Sequence, residues 1–74
     1  MLIFTLETED ADWWIEVWGR NSRWLGNISR DMLDDWRLKF MPSSKDCWFE
    51  AEELVAIADK IKEMRNANFH PKAN

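Results

Sequence analysis

Few side chains in this sequence are of the types that make and break bonds. Cys47 is the sole cysteine and His70 the sole histidine. A nucleophilic thiol needs a base within reach and an oxyanion site, and no motif sets His70 or a serine beside Cys47. A helix start can lower a thiol pKa, but Cys47 precedes Trp48 and Phe49, which reads as a buried thiol. With no second cysteine there is no CxxC pair for zinc and no intramolecular disulfide. Asp34 and Asp35 are adjacent, so they point to different sides of an extended chain and make a poor acid–base pair. His70, beside Pro71, reads as a solvated residue. The sequence predicts no catalytic residue, no cofactor site, no metal site and no enzyme.

Binding chemistry is better represented. Six tryptophans and four phenylalanines occur in 74 residues, more aromatic surface than a chain this short hides easily. The elements that position them follow from periodicity. Leu2, Phe4 and Leu6 alternate with Ile3, Thr5 and Glu7, a first strand. Glu9 to Asp12 is a polar connection. Trp13 to Trp18, aromatic and β-branched, is a second strand. Gly19-Arg20-Asn21-Ser22 reads as a hairpin turn, because Gly and Asn tolerate positive φ. Trp24 to Ser29 is a third strand and Asp31 to Asp35 a polar loop. Trp36-Arg37-Leu38-Lys39-Phe40 alternates apolar with basic, the pattern of a half-buried strand. Pro42-Ser43-Ser44 ends the sheet, since proline lacks the ladder donor.

The next periodic segment is helical. Leu54, Ile57, Ala58, Ile61 and Met64 recur at three- and four-residue steps, with charged residues on the other side. Glu50, Glu52 and Glu53 at its start and Lys60, Lys62 and Arg65 near its end complement the helix dipole. No Ser, Thr, Asp or Asn directly precedes Ala51, so the start is free to slip toward Asp46. The order is β-β-β-β-α with short connections. That predicts an α+β fold: an antiparallel meander of three to four strands with one C-terminal amphipathic helix packed on one face. Residues 1–66 form a single domain, and residues 67–74 are expected to be a flexible tail. The expected core is Phe4, Trp13, Ile15, Val17, Trp24, Ile28, Trp36, Leu38 and Phe40, with the helix stripe against it.

One helix covers only one face. If Trp13, Ile15 and Val17 face it, then Trp14, Glu16 and Trp18 face away, and Leu25 is expected to join them. An open apolar patch of that kind marks an interaction site, and tryptophan is enriched at binding hot spots. The competing reading packs Trp14 and Trp18 under the N-terminal segment or the tail, with Phe69 as a partner. Charge adds two further readings. Residues 1–16 hold five acids and no base, within a net charge of −4. Glu9, Asp10 and Asp12, with Glu7, would mimic a phosphate track for a basic groove, or are simply solvated loop acids; Asp31, Asp34 and Asp35 would extend the track. Arg37 and Lys39 lie outward on the fourth strand. Near Trp14 and Trp18 they would form an aromatic and basic surface of the kind that binds single-stranded nucleic acid, or make plain cation–π packing. The acidic balance argues against a duplex-binding role.

The segment Phe49 to Ile61, with Ala51-Glu52-Glu53-Leu54 followed by Ile57-Ala58-Asp59-Lys60, resembles the helix of short phage and prophage proteins. In those proteins a Trp-rich meander comes first and a W-x-L-x-F strand precedes the helix, as Trp36, Leu38 and Phe40 do here. The resemblance covers about residues 2–66, and it departs at Glu50, where a Ser or Asp cap is expected. It implies a small non-enzymatic accessory protein that binds a host protein by steric occlusion or acidic mimicry. Some such proteins are anti-defence inhibitors, anti-CRISPR proteins among them. The partner-binding residues under that reading are Trp14, Trp18, Glu16, Glu9, Asp10, Asp12 and Arg37. A structural homodimer through the same face is the other outcome, and a nucleic-acid-associated role is the third. The first residues lack a basic region and a cleavage site, and no apolar run approaches the ~20 residues that cross a bilayer. The expected location is the cytoplasm, the host's if the chain is phage-encoded, with no membrane partner.

Overall fold

Each alternating segment of the sequence becomes a strand. In a computed structural model, which describes residues 1–10, 12–31 and 37–67, the strands are β1 (Ile3–Glu9), β2 (Asp12–Trp18), β3 (Trp24–Asp31) and β4 (Arg37–Pro42). They form one four-stranded sheet in the order β1-β2-β3-β4, with every neighbouring pair antiparallel. The helix α1 spans Ala51–Asn66 and lies on one face. The α+β meander expected from the periodicity is therefore the fold. Asp31 belongs to β3 rather than to a loop, and Pro42 is the last residue of β4. A proline is tolerated there because β4 is an edge strand. Trp36, placed in the core by the sequence, lies outside the described residues, as do Asp34, Asp35 and residues 68–74 of the expected tail.

The β2–β3 connection is a single 3-10 turn, Arg20–Ser22, in which Asn21 and Ser22 take φ of 59° and 58°. Asn tolerates this left-handed conformation better than most residues. Gly19, by contrast, has φ of −98°. Its role is close approach: a Cβ there would come within 2.8 Å of Oε2 of Glu53 and 3.2 Å of Cδ1 of Leu25. The missing side chain lets the first turn of the helix settle against the end of β2.

The core consists of Trp13, Ile15, Val17, Leu25, Ile28, Ile57 and Met64, ringed by Leu2, Phe4, Leu38, Phe40, Cys47, Phe49 and Ile61. Phe40 and Phe49 meet edge to face with centroids 5.6 Å apart, a favoured aromatic geometry. Two helix residues depart from the expected stripe. Leu54 and Ala58 face solvent, Leu54 at 52% exposure, while Glu53 turns inward.

Arg23 causes this rotation. It follows the 3-10 turn, and its Nη2 donates to both carboxylate oxygens of Glu53, at 3.1 and 3.4 Å. Its Nη1 donates to the carbonyl of Trp48 at 3.0 Å, and its guanidinium lies 4.1 Å from the centroid of the Trp48 ring. Oε1 of Glu53 also accepts the backbone N–H of Glu50 at 2.9 Å. That is the return half of a capping box, which satisfies one orphan donor of the helix start. The helix therefore begins at Ala51 with Glu50 as its N-cap and does not slip toward Asp46. The magnitudes agree with this outcome. Leaving Leu54 half exposed forgoes about 1 kcal/mol, whereas hydrogen bonds to a charged group contribute about 1.5–3 kcal/mol.

Replacing Arg23 with Ala is expected to lower unfolding stability by about 2 kcal/mol. Arg23→Lys is expected to recover little of it, because an ammonium supplies neither the fork nor the stacking plane. Urea denaturation of the wild type and both variants measures this. Equal midpoints for all three would show that the pair does not hold the helix.

Candidate functional site

Residues directly opposite one another in an antiparallel ladder share a face, so the register sorts the side chains. The helix face takes Phe4 with Val17, Leu6 with Ile15, Ile28 with Phe40 and Arg30 with Leu38. Arg30 lies over Trp13 there, 5.8 Å from the ring centroid. The opposite face has no covering element among the described residues, and its side chains fall into four rows. The first runs Ile3, Trp18, Trp24. The second runs Thr5, Glu16, Asn27, Met41. In the third, Glu7 opposes Trp14 and Ser29 opposes Lys39. The Glu16–Asn27 and Ile15–Ile28 pairing, continued by one step, brings Trp14 beside Ser29. In the fourth, Glu9 opposes Asp12, and Arg37 stands at the same level on β4.

The structure thus places Trp14, Glu16 and Trp18 on the open face, as the alternation requires. All three are half-buried by their neighbours. Trp18 lies down toward β1, its Nε1 donating to Oγ1 of Thr5 at 3.2 Å, so its hydrogen-bonding need is met within the sheet and its ring face remains available. Ile3 and Met41 flank the tryptophans at 58% and 57% exposure.

Two expectations are overturned by one irregularity. Leu25 does not join the open face; it is fully buried, and Trp24, assigned to the core, is 44% exposed. The register shifts between Val17 and Trp18: Val17 pairs with Gly26 while Trp18 pairs with Trp24. Leu25 is the extra residue of a β-bulge, which turns it inward and hands its place on the open face to Trp24. Gly26 makes the bulge fit. Its φ is 143°, and a Cβ there would lie 2.1 Å from the carbonyl oxygen of Met41 on β4. A glycine inside a strand is the sequence signal for such a feature, and it is what alternation alone missed.

Charge is distributed by strand. Glu7 and Glu9 stand exposed on the β1 edge, and Arg37 and Lys39 stand exposed on the β4 edge. Glu16, between them, is half-buried. Asp10, with φ of 54°, is in the β1–β2 turn beyond the face. Asp12 is exposed at the end of β2, its Oδ1 accepting the N–H of Trp13 at 2.8 Å. Glu7, Glu9 and Asp12 of the expected acidic track therefore share the open face, with Asp10 in the turn beside them. Arg37 and Lys39 are separated from β2 and its tryptophans by β3, about 10 Å across the sheet.

The groups considered for bond chemistry do not come together. Cys47 is half-buried below β3, its thiol 3.9 Å from the carbonyl of Leu25. His70, Asp34 and Asp35 lie outside the described residues. Among the described residues no group of three His, Cys, Asp or Glu side chains is placed to hold a metal ion, and no helix is long and apolar enough to cross a membrane. A recess of about 350 Å³ lies between Met1, Leu2, Arg20 and the first helix turn, and its Glu53 is engaged by Arg23.

The fold and face define an α+β meander domain with one covered and one open sheet surface. Comparison with protein-family models, with curated proteins and with solved structures finds no match.

Because Gly26 sets the bulge, Gly26→Ala is expected to destabilise the domain by about 3 kcal/mol, from a strained φ and a clash with a neighbouring backbone. It should also change the environment of Trp24. Thermal unfolding with fluorescence-monitored acrylamide quenching measures both effects. Wild-type stability and quenching would show that β4 moves aside at no cost.

Proposed function

We propose that this chain is a non-enzymatic protein-binding factor that acts through its open sheet face. One observation carries the reading. Five large apolar side chains, Ile3, Trp14, Trp18, Trp24 and Met41, share the face that the helix leaves uncovered. Contiguous apolar surface rimmed by charge is the physical mark of a protein interface, and tryptophans near the centre of such a patch are the usual source of its binding energy. A protein seated there is blocked sterically from other partners. That is the mode of action implied by the resemblance to phage accessory proteins, for which the partner is a host protein.

The nucleic-acid reading is weaker on electrostatic grounds. Single-strand platforms combine stacking aromatics with a basic track beside them. Here Glu7 and Glu16 are the tryptophans' neighbours, and the two bases stand a strand away. Acidic mimicry would rest on one hairpin end, where Glu9 and Asp12 are paired and Asp10 sits in the turn between them, and the apolar surface beside it is the larger feature.

A tagged chain, immobilised, is expected to retain a partner polypeptide from bacterial lysate after nuclease treatment. The Trp14→Ala/Trp18→Ala variant should lose it. Ile3→Lys with Met41→Lys, at positions more than half exposed, should lose it too while keeping the wild-type circular dichroism spectrum. Capture undiminished in both folded variants would overturn the reading, and quenching of tryptophan fluorescence by a single-stranded oligonucleotide would favour the nucleic-acid role instead.

A further inference from the structure

We propose that in the isolated protein, with no other partner present, the open sheet face is occupied by a second copy of this chain, packed face to face about a two-fold axis parallel to the strands. The inference rests on the reading of that face as a protein-docking surface and names its occupant.

The argument is one of register and charge. Rotation about an axis along the strands, between β2 and β3, preserves each residue's level along the sheet and exchanges its two sides. The β1 strand of one copy then lies over β4 of the other, and β2 lies over β3. The four rows pair with themselves. At the level of the third row, Glu7 of one copy meets Lys39 of the other. At the level of the fourth, Glu9 meets Arg37, while Asp12 lies over the strand position of Asp31, a like-charge juxtaposition that offsets part of the gain at the edges. Each pairing occurs twice by symmetry, so both edges of the sandwich carry opposite charges. In the second row Glu16 faces Asn27, whose side-chain amide is a donor suited to a carboxylate. In the first row Trp18 faces Trp24, ring toward ring, and Ile3 lies over the end of β4 beyond Met41.

The other two-fold arrangement fails the same examination. With the axis across the strands, β1 lies over β1 and β4 over β4. The levels along each strand are reversed, so Glu7 lies over Thr5, Glu9 over Ile3 and Lys39 over Met41, and no opposite charges meet. Charge therefore selects the axis along the strands. That axis also gives the aligned sheet-on-sheet packing common to β-sandwiches.

Area sets the strength. Four strands of about seven residues present a face of roughly 19 by 23 Å. Two such faces in contact remove about 900 Å² from water, below the ~1,200 Å² at which stable specific interfaces begin and in the range of weak, transient ones. The pair is therefore a reversible dimer whose formation is seen at micromolar rather than nanomolar concentration.

Light scattering across a concentration series tests this on the full chain. The wild type is expected to pass from monomer to dimer mass. Glu7→Lys/Glu9→Lys and Arg37→Glu/Lys39→Glu, all at exposed positions, are each expected to weaken the dimer roughly tenfold or more. The variant carrying all four substitutions reverses both edges and should dimerise again, an outcome that a merely damaged fold would not give. A monomer at every concentration overturns the proposal, as does a dimer that the reversals leave unchanged. If the monomer still captures a foreign protein and loses it on Trp14→Ala/Trp18→Ala, the face is a docking surface for another chain and only the self-pairing falls. If neither self-pairing nor tryptophan-dependent capture is seen, the docking reading falls with it.

Discussion

The guanidinium of Arg23 is the point on which the arrangement turns. It stands just after the 3-10 turn that joins β2 to β3, and it reaches both the carbonyl and the ring of Trp48 and the carboxylate of Glu53. Through Trp48 it fixes the segment leading to the helix, and through Glu53 it fixes the helix's rotation about its own axis. Neither contact is deep. Arg23 retains 31% and Glu53 12% of their side-chain exposure, so each keeps part of its hydration and escapes the heavy desolvation of a fully buried pair. The cost appears on the other side of the helix, where Leu54 and Val55 are left exposed at 52% and 59%. An interaction between one turn and one helix end is thus tied to which apolar helix positions stay wet.

Much of the fold is legible in the chain because most of it obeys a single period. Trp36 to Phe40 alternates cleanly, Leu2 to Glu7 and Trp13 to Trp18 carry the same period with apolar residues also on the second face, and short polar connections between these segments leave an antiparallel meander as the natural solution. The assignment of Trp14 and Trp18 to the open face follows from the same alternation. The errors fall where the period breaks. The bulge at Leu25 exchanges the faces of Trp24 and Leu25, and no count of alternating residues anticipates it. Its trace is Gly26, a residue with no packing value in a strand except where backbones crowd. Periodicity places Leu54 and Ala58 in the helix stripe, because it ranks apolarity and ignores a paired charge. Glu53 is drawn inward by a partner thirty residues earlier, and that contact has no local signature.

The open face follows from size as much as from sequence. A domain this small has a low ratio of buried to exposed surface, and one sixteen-residue helix is enough to dress one side of a four-stranded sheet. A second apolar side is then a standing cost unless something covers it. The chain limits that cost in two ways. Trp18 lies along the sheet to meet Thr5, and Glu7 on one edge strand with Arg37 and Lys39 on the other rim the apolar surface with charge.

The sheet edges point the same way. An unpaired edge strand invites the addition of another strand, and both β1 and β4 are edges. Each carries like charges at alternate positions, Glu7 and Glu9 on one and Arg37 and Lys39 on the other, and β4 ends in Pro42. Pairing β1 with β1, or β4 with β4, would bring those like charges together. Proline further removes a ladder donor from β4. Edge-to-edge growth of a sheet from like strands is therefore opposed by the same residues that polarise the face. What the charges leave open is contact across the face, where the tryptophans lie between an acidic and a basic edge.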